Sequence, residues 1–291
     1  GNILTEYDFS SHVASDIGLG EQFIPAQELD IQENLDKIAV WSDLNLMKLK
    51  ESKTDYMVFS RSREAFATRL TLNGKLIERK YANKCLGVWL QPDGKWEKNT
   101  REICKGAYAR IQMLTKLKYS GSSIEDMIHL YKQFVRGKLE FSSVVWHSSL
   151  TEKQSRSLER CQAVALRIIL GEMYITYEAA CEMSGLSKLS DRRSSRCLDF
   201  GLNSLKHSQN SRFFPRNQSV DNQLQIRDRE PFKVNFARTV QYKNSAIPFI
   251  QRKLNENSRS VAEARASGAS CGRAVGSGQG AGGGAQARGP D

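Results

Sequence analysis

The chain has 291 residues, of which 40% are hydrophobic, enough for one large or two ordinary domains with packed cores. Lys and Arg outnumber Asp and Glu by 43 to 32, and no apolar run approaches the roughly 20 residues of a membrane span. The N-terminus lacks a signal-peptide pattern and the six cysteines form no C-x-x-C pair. These features argue against a membrane or disulfide-stapled secreted protein and predict an intracellular one, in the cytoplasm or nucleus, with reduced thiols.

The positive charge is unevenly distributed along the chain. Residues 1–40 carry one basic residue and eight acids, a net charge of −7, whereas residues 101–170 carry twelve basic residues and six acids, a net charge of +6. A positive middle segment suits a polyanion such as nucleic acid, because Lys and Arg release counterions when they contact phosphates. The alternative is a solvated helical surface with a basic bias.

The first third of the chain predicts a helix followed by short strands. Residues 1–29 are acidic and irregular, and apolar residues at three- and four-residue steps from Asp30 onward predict an amphipathic helix. Strands are expected over 56–60 and 84–90. Between them, Asn73-Gly74 separates two alternating apolar segments and predicts a tight hairpin, since both residues tolerate positive φ.

The next eighty residues predict three helices, each opened by a capping box. The pairs that suggest these boxes are Asn99 with Glu102, Ser122 with Glu125, and Thr151 with Gln154. Gly171 is placed to end the third helix. Residues 173–257 look partly helical. Residues 258–291 are rich in Ala, Gly, Ser and Arg and are expected to form a disordered, low-complexity tail.

Several motifs in this order resemble the C-terminal part of a non-LTR (LINE-type) retrotransposon reverse transcriptase. The tryptophan-containing segment 41–49, followed by Lys53-Thr54 and an apolar strand, is similar to the fourth palm motif of that family. Leu86-Gly87-Val88 looks like the primer grip of the fifth motif. Residues 143–147 and 158–162 resemble late thumb helices. The likeness runs from about residue 30 to 255 and excludes the tail.

The resemblance implies an α+β fold, the end of a reverse-transcriptase palm followed by an all-α thumb bundle. The expected parts are an acidic segment over 1–29, the palm end over 30–95, the thumb over 96–172, a helical extension over 173–257 and the tail over 258–291. The partners implied are an RNA template, a DNA primer and upstream palm and fingers sequence of the same polyprotein.

The family's chemistry is RNA-directed DNA synthesis by a nucleotidyltransferase that uses two Mg²⁺ ions held by aspartates. This chain contains no Asp-Asp dipeptide, and the family's order would place the Tyr-x-Asp-Asp hairpin upstream of Gly1. The first methionine is Met47, so the sequence is interpreted as a piece of a longer one. We therefore expect no metal bound by this chain and no polymerase activity from it alone.

Supporting roles remain for residues of the palm end and thumb. The resemblance assigns Lys53 as the proton donor to pyrophosphate and Leu86, Gly87 and Val88 as the primer grip. The departure at Lys50, where the family has asparagine, puts the aim of Lys53 in question. Five thumb cations are assigned to phosphate contacts with the template–primer: Arg101, Lys105, Arg110, Lys116 and Lys118. Tyr108 and Tyr119 are candidates for base stacking.

Two other interpretations stay open from the sequence. The chain could be a non-enzymatic nucleic-acid-binding protein derived from such an element, with the helical bundle kept as a basic module. It could also be a degenerate relic with no retained function. The low-complexity tail has no counterpart in the family and would then be read-through into unrelated sequence.

Overall fold

The computed structural model describes residues 28–59, 69–217, 230–234 and 236–271, with the side chains of 28–30 and 264–271 left out. The described residues are mostly helical with a few short strands, an α+β organisation at a coarse level. The chain divides into two compact units, Gly1–Ser194 and Ser195–Asp291. The acidic segment 1–29 lies almost wholly outside the described residues. The strand predicted over 56–60 is wrong over most of its length, because only Tyr56 belongs to a strand and residues 57–59 do not; Ser60 lies outside the described residues.

The first part of unit one is a helix packed on a small hairpin. Its elements are α1 (Glu28–Leu44), β1 (Asp55–Tyr56), β2 (Thr71–Leu72), β3 (Lys75–Leu76) and β4 (Glu78–Arg79). β2 pairs antiparallel with β3, and β1 pairs parallel with β4. The apolar side of α1 covers a core of Leu70, Leu72 and Ile77. Gln32 on α1 bonds both the N–H and the C=O of Thr71 at 2.9 Å, which satisfies backbone groups of β2.

The Asn73-Gly74 hairpin prediction is confirmed. The two residues form the turn between β2 and β3 with φ of 51° and 76°. These positive values are those that a two-residue hairpin turn needs, and Asn and Gly adopt them at low cost.

The single strand predicted over 84–90 is wrong, because the segment folds back on itself. β5 (Asn83–Cys85) pairs antiparallel with β6 (Val88–Leu90), and Cys85 lies opposite Val88. Leu86 and Gly87 make the two-residue turn, with φ of 46° and 85°. The apolar run of Leu86 to Val88 therefore marks a turn, and Leu86 is 72% exposed at its tip.

A helical bundle follows the second hairpin. Its elements are α2 (Glu97–Tyr119), α3 (Ile124–Leu130), a π-helical turn (Tyr131–Val135), α4 (Arg136–Glu140), α5 (Ser143–Trp146) and α6 (Glu152–Leu170). The long helices α2 and α6 pack against each other around a core of fully buried side chains that includes Ala107, Leu158 and Ala165. The second of the three predicted helices is present as α3, the π turn and α4, which follow one another without a gap from Ile124 to Glu140.

Only one of the three predicted capping boxes forms as expected. The Thr151 hydroxyl accepts from the Gln154 N–H, and the Gln154 side chain accepts from the Thr151 N–H at 2.8 Å. Gly171 ends α6 with φ of 59°, as predicted. At α3 the capping residue is Ser123 rather than Ser122. At α2 the helix starts earlier, at Glu97, so Asn99 is buried within its first turn instead of capping it.

The segment after the bundle is helical, as the sequence indicated, and its first part belongs to unit one. α7 (Tyr177–Ser184) comes first, and α8 (Leu189–Ser204) runs from unit one into unit two. Within unit one, Arg192 makes two hydrogen bonds to the buried carboxylate of Glu140, at 2.6 and 3.2 Å. The fully buried Arg193 donates to Ser155 and lies 3.7 Å from Glu159. These polar contacts fix the start of α8 against α4 and α6.

Unit two is built around the last helix. Its further helices are α9 (Ser208–Ser211), α10 (Val240–Lys243) and α11 (Ala246–Cys271). Gly201 on α8 lets Ile250 and Leu254 of α11 pack closely, since an added Cβ would lie 2.6 Å from Ile250. Residue 258 was predicted to begin a disordered tail, but α11 continues through it to Cys271. The rest of the predicted tail lies outside the described residues.

Candidate nucleic-acid interface

Helix α2 separates an apolar face from a basic one. Ile103, Ala107, Ile111 and Leu114 are buried in the bundle core. At about 100° per residue, Arg101, Lys105 and Lys116 fall within one narrow sector on the opposite side, and all three are exposed. This basic stripe extends about 22 Å along the helix at 1.5 Å per residue. Tyr119 continues the stripe and is 90% exposed.

The other two predicted phosphate contacts on α2 lie elsewhere. Lys118 donates from Nζ to the carbonyl oxygen of Ile168 at 2.6 Å, near the end of α6. Arg110 projects on a different side of α2 and donates from Nη1 to the carbonyl oxygen of Phe134 at 2.6 Å. These cations therefore have structural partners, and the five predicted residues do not form one group.

The three predicted primer-grip residues have different environments. Leu86 is exposed at the tip of the β5–β6 hairpin, and Val88 is buried in the bundle core. Gly87 lies against Phe141, because a Cβ built on Gly87 would stand 2.7 Å from the ring carbon Cε1. The hairpin is thereby held against the chain that follows α4.

A cleft lies between this hairpin and the helices α2 and α4. Its volume is about 330 Å³, and three lysines from three elements line it: Lys84, Lys105 and Lys138. Gly87, Trp89 and Gly106 also line it, and Glu102 is the acidic residue in its wall. We call this the lysine cleft.

The electrostatics of the lysine cleft reflect crowded positive charge. Burial lowers the pKa of Lys138, and the nearby charges of Lys84 and Arg110 lower it further, whereas Glu102 acts in the opposite direction. Within this group the cations outnumber the carboxylate. An anion in the cleft would relieve their mutual repulsion.

Asn99 adds an unsatisfied donor to the same wall. Its Oδ1 accepts from the backbone N–H of Trp89 at 3.1 Å, which joins the start of α2 to β6. Its Nδ2 is buried and has no hydrogen-bond partner among the described residues. A buried amide donor without a partner costs stability, so Asn99 is retained here at an energetic cost.

Lys53 is separate from these features. It ends a short 3₁₀ turn, Glu51–Lys53, directly before β1. The side chain is exposed, and its amino group forms no ion pair with any residue in the described part of the chain. The neighbouring Glu51 instead contacts the Asn73 amide at 3.4 Å and the Lys75 amino group at 3.6 Å. Its assigned role in proton donation stays a prediction.

Sequence reasoning missed Lys84, Lys138 and Asn99 as members of the site. The hairpin that presents Lys84 was interpreted as one strand, and Asn99 as a helix cap. The sequence around Lys138 does not predict that it lies in the cleft, because its position depends on how α4 packs beside α2. Trp89 was also missed; its ring centre lies 4.3 Å from the amino group of Lys98, the second residue of α2.

In the described ranges, no group of three or more His, Cys, Asp or Glu side chains is placed to hold a metal ion. The described residues therefore offer no carboxylate cluster that would fit the Mg²⁺ of the family's reaction. No catalytic step is assigned to them. Within the same ranges, none of the helices has the length and apolar character that crossing a membrane requires.

Comparison with known proteins gives no relative. No protein family, curated protein or solved structure matches this chain.

Proposed function

We propose that unit one binds the sugar–phosphate backbone of a nucleic acid with the basic stripe of α2 and the lysine cleft. The observation that carries this proposal is the convergence of Lys84, Lys105 and Lys138, from three separate elements, on one cleft. Lysines act as point charges toward phosphate oxygens.

The described contacts favour backbone recognition over base recognition. The stripe carries three exposed cations, Arg101, Lys105 and Lys116, and one exposed amide, Gln112, so the side chains suited to phosphates outnumber the one suited to a base edge. Such a surface follows phosphates and carries little sequence preference. Holding a template–primer duplex requires this kind of contact.

We further propose that the chain is the palm end and thumb of a non-LTR reverse transcriptase. The motif resemblance supports this, together with the order of α1, two hairpins and a helical bundle. In that protein this part would grip the duplex, and the metal-binding aspartates would come from upstream sequence. A non-enzymatic nucleic-acid-binding derivative would use the same interface.

Charge-neutralising variants test the interface. Lys105→Gln and Lys138→Gln should each weaken binding to a primer–template duplex and reduce the slope of log K against log salt by about 0.7 to 0.9. Lys118→Gln is the matched control, because it makes the same charge change on α2 but removes only the bond to Ile168. Equal losses in all three variants would show a general charge effect and contradict the proposed interface.

Sequencing the 5′ end of the transcript distinguishes a part of a reverse transcriptase from a non-enzymatic derivative of one. A Tyr-x-Asp-Asp motif within some tens of codons upstream of Gly1 would support the polymerase. If the longer protein that includes this upstream sequence polymerises, Lys53→Ala should slow it, and unchanged activity would remove Lys53 from the mechanism. A stop codon or an unrelated exon would leave a binding module or a relic.

A further inference from the structure

The lysine cleft and the basic stripe of α2 present positive charge in different shapes. The stripe is a row of cations along one exposed face of a helix. The cleft is bordered by the β5–β6 hairpin, α2 and α4, and each of these elements contributes one lysine: Lys84, Lys105 and Lys138. A concave site lined by charges of one sign focuses the electric field on what enters it. The cleft is therefore suited to one compact anionic group, and the stripe to a strand followed along its length.

The net charge of the lysine cleft matches one kind of phosphate better than another. Its three lysines and Glu102 leave a net charge of +2, and none of the three amino groups forms an ion pair within the described ranges. An internal phosphodiester of a nucleic acid carries one negative charge. A phosphate monoester carries about −1.5 to −2 charges near pH 7. The monoester therefore compensates the charge of the cleft more completely than a phosphodiester does.

Gly106 on α2 makes room for the side chain of Lys138. The nearest atoms to a Cβ built on Gly106 all belong to Lys138, whose Cε would stand 3.0 Å away. The half-buried lysine side chain therefore lies across the bare backbone of α2. This packing limits the directions in which its amino group can point, so less side-chain entropy is lost when an anion binds. A glycine inside a helix costs stability, and the contact with Lys138 gives this one a role in the cleft.

We propose that the lysine cleft prefers, among the phosphates of a nucleic acid, the terminal phosphate monoester at the end of a strand. The inference rests on the proposed function and deepens it, because it names the part of the nucleic acid that the cleft selects. The lysine ammonium groups donate hydrogen bonds to the terminal oxygens of the monoester. The basic stripe of α2 contacts internal phosphates of the same duplex. A free mononucleotide carries the same monoester group and serves as a separate probe.

Duplexes that differ only at one strand end test this preference. The affinity of the 291-residue chain is measured for one primer–template duplex in three forms: with hydroxyl ends, with a 5′-phosphate and with a 3′-phosphate. At least one phosphorylated form should bind about tenfold more tightly than the hydroxyl form, since it gains charge-assisted hydrogen bonds. Equal affinities of all three forms would overturn the preference for a strand end.

Three variants show whether the preference arises in the cleft. Lys138→Gln should abolish it, whereas Lys118→Gln should keep it, because Lys118 makes the same charge change on α2 outside the cleft. Gly106→Leu changes no charge but fills the space in which the Lys138 side chain lies, so it should also abolish the preference. Its unfolding temperature should not fall, because leucine has a higher helix propensity than glycine. A preference that is lost in Lys118→Gln or kept in Gly106→Leu would contradict the assignment to the cleft.

The outcomes separate this inference from the proposed function. If the hydroxyl-ended duplex binds through Lys105 and a terminal phosphate adds nothing, nucleic-acid binding stands and the preference falls. Competition by adenosine 5′-monophosphate, compared with adenosine, tests the monoester group alone. Competition by the monophosphate without binding of any duplex would assign the cleft to free nucleotides and overturn both the strand end and the nucleic-acid function. Neither competition nor duplex binding would likewise overturn both.

Discussion

Gly87 is a residue at which two constraints coincide. Its φ of 85° lies in the left-handed region, and the space where a Cβ would stand is occupied by the Phe141 ring. Gly74 has a similar φ of 76°, but no atom lies within 4 Å of its added Cβ. The two glycines therefore separate the cost of backbone strain from the cost of a side-chain clash.

Gly74→Ala should lower the free energy of unfolding by about 1–2 kcal/mol, since only the left-handed conformation is penalised. Gly87→Ala should cost about 0.5–1.5 kcal/mol more, because the Phe141 ring must leave its preferred rotamer. Urea denaturation of both variants measures the difference. Equal losses would mean that the Phe141 contact contributes nothing to the hairpin's position.

Glu140 carries a buried carboxylate that forms an ion pair. Its side chain is 1% exposed and paired with Arg192, which is 28% exposed. The hydrogen bond to Glu140 raises the pKa of Arg192 above its ordinary value. A buried charge that loses its partner is strongly destabilising, because desolvation is no longer compensated.

Arg192→Met should therefore destabilise the protein by about 3–5 kcal/mol, the range for breaking a buried ion pair. The matched control is Arg156→Met, which breaks an exposed pair with Glu152 one turn away on α6. That change should cost less than about 1 kcal/mol. Thermal unfolding of the two variants gives the comparison, and similar melting temperatures would contradict a structural role for the Glu140 pair.

At the scale of elements, the start of α6 is set by a reciprocal pair of hydrogen bonds. Thr151 and Gln154 each satisfy a backbone N–H of the other, and Gln154 is buried. Thr151→Ala should cost about 0.5–2 kcal/mol, as for other N-cap losses. In a double-mutant cycle with Gln154→Ala, the two losses should be coupled because the residues share one network. Strictly additive losses would show that the capping box does not act as a unit.

Local chemistry explains which elements the sequence could predict. Asn73-Gly74 and Thr151–Gln154 were predictable, since the turn and the box depend on residues close in sequence. Leu86-Gly87 was not, because a leucine with φ of 46° is uncommon and the apolar run favours a strand. Asn99 resembled a cap, but its side chain instead bonds the backbone of Trp89. That bond depends on how β6 meets α2.

The candidate site also combines residues that local sequence places together with residues that only tertiary packing brings together. Arg101, Lys105 and Lys116 were predictable as one stripe, because helical periodicity alone places them on the face opposite the buried residues. Lys84 and Lys138 join Lys105 only through tertiary packing of a hairpin and a second helix. Arg110 and Lys118 have the right charge but bond to carbonyl oxygens within the bundle.

At the scale of the whole molecule, the excess of positive charge is the property most directly tied to function. Residues 1–40 carry a net charge of −7 and residues 101–170 a net charge of +6, so the two segments differ in sign within a chain whose net charge is +11. A positive surface accelerates association with polyanions and makes affinity depend on salt.

The most direct test measures how the affinity of the 291-residue chain for a primer–template duplex changes with salt concentration. It shows whether the positive surface binds nucleic acid. Each phosphate contact should contribute about 0.7 to 0.9 to the slope of log K against log salt. Three contacts from the lysine cleft and further ones from the α2 stripe therefore predict a steep fall in affinity as salt rises. An affinity that does not change with salt, or no measurable binding at low salt, would contradict a nucleic-acid function for this protein.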